Sequence, residues 1–222
     1  MGKYSAFILC DGEPPTESLF HTYNNLCDVC IATDGAALTA LRYGITPDVV
    51  IGDMDSFVPP AGYLGNIITD PDQNSNDLEK ALAYAVKKGI EDAVVLGATG
   101  KRLDHTLKNL SVYRQFKPRF KKLIFEDDYV KIILLPRVYA GQVETSKTTI
   151  SLFPLSGEVT GVTTTGLKYG LNNEDLINGV RDGSSNETTG THFEIKHSSG
   201  DLLLFQPQRH KGSKFLEKES NT

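Results

Sequence analysis

Through the first 138 residues the apolar positions gather into short unbroken runs separated by Gly, Pro and Asp; beyond that point they thin into brief stretches broken by polar turns. Residues 4–10, 29–33, 48–51, 66–69 and 93–96 are runs of the kind needed by strands buried on both faces, as in a parallel sheet. Helical periodicity fills the gaps. Segment 36–43 reads as a helix with Asp34 as N-cap, Gly44 as its stop and Pro47 beyond. The clearest helix is predicted over 77–88, where Leu78, Ala81, Leu82, Ala85 and Val86 form one stripe. Asn76 can cap it, Glu79 stands at the capping-box position and Gly89 closes it. A third helix follows Asp104, with Leu103, Leu107 and Leu110 on one side and Phe116 near its end.

From 142 to 206 the runs, such as 148–153 and 202–205, are short and β-rich, set between Ser, Gly, Asn and Thr turns. The pattern therefore predicts a parallel-sheet α/β domain over 1–138 and a small all-β sandwich domain over 139–208. A polar tail over 209–222 is expected to fray. No internal repeat stands out.

Composition narrows the function classes. An apolar fraction of 39% in 222 residues supports a full core. Residues 1–138 carry 15 Lys+Arg against 18 Asp+Glu, and 139–222 carry 8 against 10, so neither half has the basic surface that nucleic acid or an anionic membrane requires. No apolar stretch approaches the roughly 20 residues of a membrane span, and no charged n-region precedes an apolar h-region. A soluble, cytoplasmic protein is expected. Three cysteines argue against a disulfide framework; Cys27 and Cys30 have redox spacing but enter a strand, where i and i+3 face opposite ways, so buried thiols are expected.

The apolar runs share one further feature: each leads into an aspartate-rich loop. Asp34-Gly35-Ala36 follows the second run and Gly52-Asp53-Met54-Asp55-Ser56 the third. Asp70-Pro71-Asp72-Gln73 follows the fourth, with Asp77 just beyond, and 97–105 (Gly-Ala-Thr-Gly-Lys-Arg-Leu-Asp-His) the fifth. In open α/β sheets ligands bind outside the carboxyl ends of the strands. Two carboxylates about 5 Å apart repel by roughly 3 kcal/mol at an effective dielectric near 20, so such a rim calls for a cation, and carboxylate oxygens are what Mg²⁺ takes. Arg102 can grip phosphate oxygens bidentately, with Lys101 as a point charge. For any single aspartate a turn or cap role competes; His105 reads equally as a phosphate donor or a packed residue, and Glu126-Asp127-Asp128 reads as a solvated turn.

These blocks resemble, in order, those of the thiamine pyrophosphokinase family: 34–36, 47–56, 72–82 and 97–105, with 166–171 and 184–187 in the β-rich part. The resemblance implies an N-terminal nucleotide-binding catalytic domain for ATP and Mg²⁺, a C-terminal thiamine-binding sandwich, and a homodimer with thiamine between subunits. It implies transfer of pyrophosphate from ATP to the thiamine hydroxyl with release of AMP. Asp53, Asp55 and Asp77 are then metal ligands with Asp104 alongside, and these four with Arg102 are the catalytic set. ATP contacts fall to Asp34, Gln73, Arg102 and His105; thiamine contacts fall to Tyr169, Ser185 and Asn186. The chain departs from the family pattern at Asn76, Gly170 and Arg181-Asp182. Two other readings stand beside this one: a metal-dependent glycosyltransferase using a nucleotide sugar, which Asp53-Met54-Asp55 and Asp70-Pro71-Asp72 would each fit, and a thiamine or thiamine diphosphate binder without turnover.

Overall fold

A computed structural model describes residues 4–208, so the tail over 209–222 lies outside the described residues. The chain divides into two compact units, described over 4–128 and 129–208. The first alternates strand and helix. Its elements are β1 (Ser5–Leu9), α1 (Glu17–Leu26), β2 (Val29–Thr33), α2 (Ala36–Arg42), β3 (Val49–Gly52), β4 (Asn66–Thr69), α3 (Asp77–Lys87), β5 (Asp92–Leu96), α4 (Leu103–Phe116) and β6 (Lys122–Glu126). The strands pair in parallel in the order β6-β5-β1-β2-β3-β4. β1, β2, β3 and β5 are buried throughout, which is why their sequences are continuous rather than alternating. Phe7 meets Phe20 edge-on at 5.0 Å between ring centroids, anchoring α1 to the sheet with Tyr23 and Val50 in the same core.

Strand register decides where the aspartate-bearing loops emerge. Leu9 pairs with both Ala32 and Leu96, Thr33 with Ile51, and Gly52 with Thr69. The strands therefore end level, and the loops after β1, β2, β3, β4 and β5 leave from one edge of the sheet. The strand order reverses between β1 and β5, the switch point at which such sheets open a crevice.

The second unit is a sandwich of two antiparallel layers. Its strands are β7 (Val130–Leu134), β8 (Val138–Gln142), β9 (Thr149–Pro154), β10 (Glu158–Thr165), β11 (Glu174–Ile177), β12 (Gly183–Glu187), β13 (His192–Lys196) and β14 (Leu202–Pro207). One layer runs β12-β9-β14-β7 and the other β11-β10-β13-β8. Ile150, Leu152, Val162, Phe193, Ile195 and Leu204 fill the space between them. Gly141 leaves room for the Phe193 ring, which a Cβ there would meet at 2.1 Å. The units divide at 128/129, ten residues ahead of the change in sequence texture, because β7 pairs along its whole length with β14.

Several local expectations are corrected. Asp34 does not cap α2; Gly35 is the cap residue, and the Asp34 carboxylate instead accepts from the Ser56 N–H at 3.1 Å. Asn76 does cap α3, accepting from Glu79 N at 3.0 Å, but Glu79 does not close a capping box. Its carboxylate takes Lys108 and Gln115 of α4 instead. Helix α4 is rotated from the expected phase: Asn109, Val112, Tyr113 and Phe116 face inward, while Leu103 and Leu107 are 72% and 60% exposed. The cause is polar, since buried Asn109 donates to Ala98 O at 2.8 Å and accepts from Asn76 at 2.8 Å. The 126–128 run is no mere turn, because Glu126 is buried and Asp128 accepts from the Thr16 N–H and hydroxyl at 2.8 and 2.6 Å. Cys10, Cys27 and Cys30 are free thiols, and burial first of all pushes each up to about 12, which removes them from redox or nucleophilic work near neutrality. No helix of the described residues is long and apolar enough to cross a membrane.

The Asn76–Asn109–Ala98 chain ties α3, α4 and the β5 loop together. Asn76→Ala loses a cap and strands the Asn109 amide oxygen, for an expected cost of about 2–3 kcal/mol in urea unfolding. Asn76→Thr keeps the cap without the Asn109 bond and is expected to cost about half as much. Equal losses in the two variants would show that the cap contributes nothing, and an Asn76→Thr variant as stable as wild type would show the same of the Asn109 contact.

Candidate active site

At the end of β2 the chain turns with Asp34 in a left-handed conformation, φ 36°, and buries its side chain. Next to it β3 ends in Gly52, where a Cβ would lie 2.7 Å from the Asp34 Cβ and 3.3 Å from the Asp77 carboxyl carbon. Only glycine lets these two acids close on the strand end. Met54, also left-handed at φ 64°, folds the loop so that Asp53 and Asp55 return to the same side. Asp34, Asp53 and Asp55 each offer a carboxylate oxygen, all within 4.8 Å of one another.

Ser56 is the residue that organises them. Its N–H serves Asp34 and its hydroxyl donates to Asp55 at 2.7 Å. Gln73, from the β4 loop, donates to Asp53 at 3.2 Å. Burial, and then the hydrogen bond that its protonated form makes to Asp55, push Asp34 up to about 6. The Ser56 hydroxyl, then Asp34, hold Asp55 below the ordinary carboxylate range. Asp77 is raised by burial against the opposing pull of Lys80, whose ammonium lies 3.3 Å away and is itself buried. In ionised Asp34, Oδ1 is buried with no donor to receive a hydrogen bond from.

Other acids have different employment. Asp72 accepts from Asn74 N–H and from the Ser75 hydroxyl at 3.0 and 2.7 Å, and the Ser75 bond leads the causes that bring it down to about 2. It shapes the loop. Asp104 does not join the cluster of Asp34, Asp53 and Asp55: it takes Arg102 in a two-pronged pair at 2.5 and 3.2 Å, with both side chains about two-thirds exposed. That pairing raises Arg102 and lowers Asp104. His105 is exposed beside them.

In the sandwich unit Tyr169 is 62% exposed, and the Lys168 ammonium lies 5.5 Å from its ring centroid. Ser185, left-handed at φ 56°, is exposed. Asn186 is not: it is buried, accepts from Tyr169 N at 3.1 Å and donates to Tyr169 O at 2.8 Å. Its amide is consumed in clamping the Tyr169 backbone. The sequence singles out Asn186 but not this use, and it assigns nothing to Ser56, Lys80 or Asn109; the Asp-x-Asp-Ser spacing is the one available signal for Ser56.

Residues 20–125 match the family described as thiamin pyrophosphokinase, catalytic domain, and residues 139–202 match its vitamin B1 binding domain. The chain belongs to the thiamine pyrophosphokinase family. A rice thiamine pyrophosphokinase is 31% identical over 66% of this chain and 61% of its own length, so the match spans under two thirds of that relative. The Bacillus subtilis thiamine pyrophosphokinase is 28% identical over 79% of this chain and 86% of its own. The crystal structure of the Bacillus subtilis protein superposes with a TM-score of 0.77 at 25% identity, covering 92% of this chain and 99% of that one. Yeast thiamin pyrophosphokinase shares the fold, with a TM-score of 0.79 at 18% identity, covering 94% of this chain and 87% of its own.

The Asp34 shift has a consequence for stability. Folded Asp34 keeps its proton up to about 6 against an ordinary 3.8, so between those values the folded state holds more protons and stability falls as pH rises. Above that window the whole penalty is present; below it the penalty vanishes. Asp34→Asn, whose amide can donate to Asp55 as protonated Asp34 does, is expected to melt higher than wild type at pH 7 in EDTA. The two melting curves should converge towards pH 4. A gap independent of pH would mean that burial of the ionised Asp34 is not the cause.

Proposed function

We propose that this protein transfers the pyrophosphoryl group of ATP to the hydroxyl of thiamine, giving thiamine diphosphate and AMP. The observation that carries the reading is the convergence of Asp34, Asp53 and Asp55 at the carboxyl edge of the matched catalytic domain. The thiamine oxygen forms a bond to the β-phosphorus as the bond from that phosphorus to the α-phosphate oxygen breaks. The hydroxyl proton is lost and AMP leaves.

An all-oxygen, all-carboxylate set with one buried oxygen lacking a partner suits a hard divalent cation. Asp34, Asp53 and Asp55, with Asp77 beside them, would hold Mg²⁺, which when bound offsets the charge of the phosphate chain. Arg102 supplies a planar cation for the β- and γ-phosphate oxygens, and Asp104 holds it ready between turnovers. Gln73 fixes Asp53 and stands beside the phosphates, and His105 lies on the same loop as Arg102. Tyr169 offers an exposed aromatic face to cationic thiamine, Ser185 a nearby polar contact, and Asn186 keeps the Tyr169 loop in place. Positioning and electrostatics carry most of the rate in such a transfer. The reading includes a homodimer and a cytoplasmic setting, the latter supported by three free thiols.

Purified protein with Mg²⁺, ATP and thiamine is expected to form AMP in step with thiamine diphosphate. ADP with thiamine monophosphate would replace the reaction with a simple kinase; thiamine binding without either product would make it a binding protein. Asp55→Asn is expected to lower kcat by at least about a hundredfold with little change in the melt. Retained turnover would remove Asp55 from the site.

Tyr169→Ala is expected to raise the KM for thiamine about tenfold while leaving the KM for ATP unchanged. Asn186→Ala should reproduce that selectivity through the freed loop. Equal effects on both substrates would sink the assignment of this face to thiamine.

A further inference from the structure

The loop after β1, Asp11-Gly12-Glu13, lies at the switch point yet has no part in the acidic site. It is bound to the β5 loop along its length: Cys10 N donates to Leu96 O at 2.8 Å, Gly12 N to Gly97 O at 2.8 Å, and Glu13 N to Thr99 O at 2.7 Å. The approach is too close for side chains, since a Cβ on Gly12 would lie 2.3 Å from two carbonyl oxygens of the β5 loop. The two loops therefore form one rigid lip.

Asp11 uses one carboxylate oxygen on that lip. Oδ1 takes the Lys101 ammonium at 3.0 Å, and Lys101 also reaches the Asp11 carbonyl at 3.3 Å. Oδ2 faces the other way, 3.2 Å from where a Cβ on Gly35 would stand, and that same point is 3.2 Å from the Ser56 Cβ. Ser56 is the residue that holds Asp34 and Asp55. Asp11 thus spans from Lys101 to the edge of the acidic cluster.

Lys101 is left-handed, φ 49°, a backbone state that side-chain-bearing residues rarely adopt. The turn sends Lys101 back over the β1 loop, while its neighbour Arg102 goes to Asp104. Both members of the Asp11–Lys101 pair are about half exposed, and such pairs add little to stability. A lysine on a flexible stem at the same edge of the sheet as three uncompensated carboxylates is drawn towards them unless another acid holds it.

We propose that Asp11 is a positioning residue: it keeps Lys101 off the acidic cluster and at its rim, where the ammonium meets the phosphate chain of the bound nucleotide. This rests on the proposed use of ATP. The chemistry is a point charge on non-bridging phosphate oxygens, beside the bidentate grip of Arg102.

Steady-state AMP formation by the full chain tests it, with Asp11→Asn, Lys101→Met, Lys101→Arg and the Asp11→Asn/Lys101→Met double variant. Each of Asp11→Asn and Lys101→Met is expected to lower kcat/KM for ATP about tenfold while the KM for thiamine stays within about twofold. The double variant should be no worse than Lys101→Met alone, because Asp11 acts through Lys101. Lys101→Arg keeps the charge and should stay within about threefold of wild type. A double variant down by about a hundredfold, losses shared by both substrates, or no loss at all would overturn the proposal. If Asp11→Asn folds poorly, Asp11→Ser takes its place with the same expected loss, while the contrast of Lys101→Met with Lys101→Arg tests the charge at Lys101. Wild type that forms no AMP overturns the ATP reading and this proposal together; wild type that turns over with variants unaffected overturns this proposal alone.

Discussion

Like charges do not gather without restraint, and holding Asp34, Asp53 and Asp55 within 4.8 Å of one another is the demand to which the α/β unit is built. Level parallel strands bring the loops to one edge. Gly52 vacates the space into which Asp34 and Asp77 close, and Ser56 spends both its backbone and its hydroxyl on the acids. Both turns that carry the trio, at Asp34 and Met54, place side-chain-bearing residues in the left-handed region. Strain of this kind persists only where the surroundings over-determine it, and here the surrounding core is fully buried strand.

The same division between rigid support and exposed chemistry recurs in the sandwich. Tyr169 presents its ring to solvent because its backbone is not free: Asn186 takes both its N–H and its carbonyl, and Lys168 N donates to Glu187 O at 2.8 Å beside it. A side chain on a loop clamped in this way loses little further freedom when it meets a ligand. Buried Asn186 therefore acts through its neighbour's backbone, as Ser56 does through its neighbours' carboxylates.

Much of this is legible in the order of residues alone. Continuous apolar runs give away the buried parallel strands, and recurrence of aspartate after each run exposes the edge. Asn76 as a cap is readable because capping is local. Features that escape a linear reading depend on partners far along the chain. Leu103, Leu107 and Leu110 look like the core stripe of α4, whereas a polar residue, Asn109, sets the inward face through Asn76 and Ala98. Glu79 looks like a capping-box partner, but its ligands, Lys108 and Gln115, come from another helix. Asp34 fits a cap in one dimension; in three, Ser56 claims it. The division between units is displaced because β7 has an apolar run like those before it, and only its pairing with β14 assigns it to the sandwich.

The distribution of cations around the edge follows from the same repulsion. Lys80 is spent on Asp77 and the Asp70 carbonyl, Lys101 on Asp11, and Arg102 on Asp104. Among the described residues none of them pairs with Asp34, Asp53 or Asp55. A protein that neutralised those three with its own lysines would be more stable and would have no place for a divalent cation. Instead each nearby positive charge is kept on a carboxylate outside the trio, and the penalty of the uncompensated cluster falls on Asp34, the most buried of the three. Stability surrendered at that residue is what keeps the edge open to a cation and to the phosphates that accompany it.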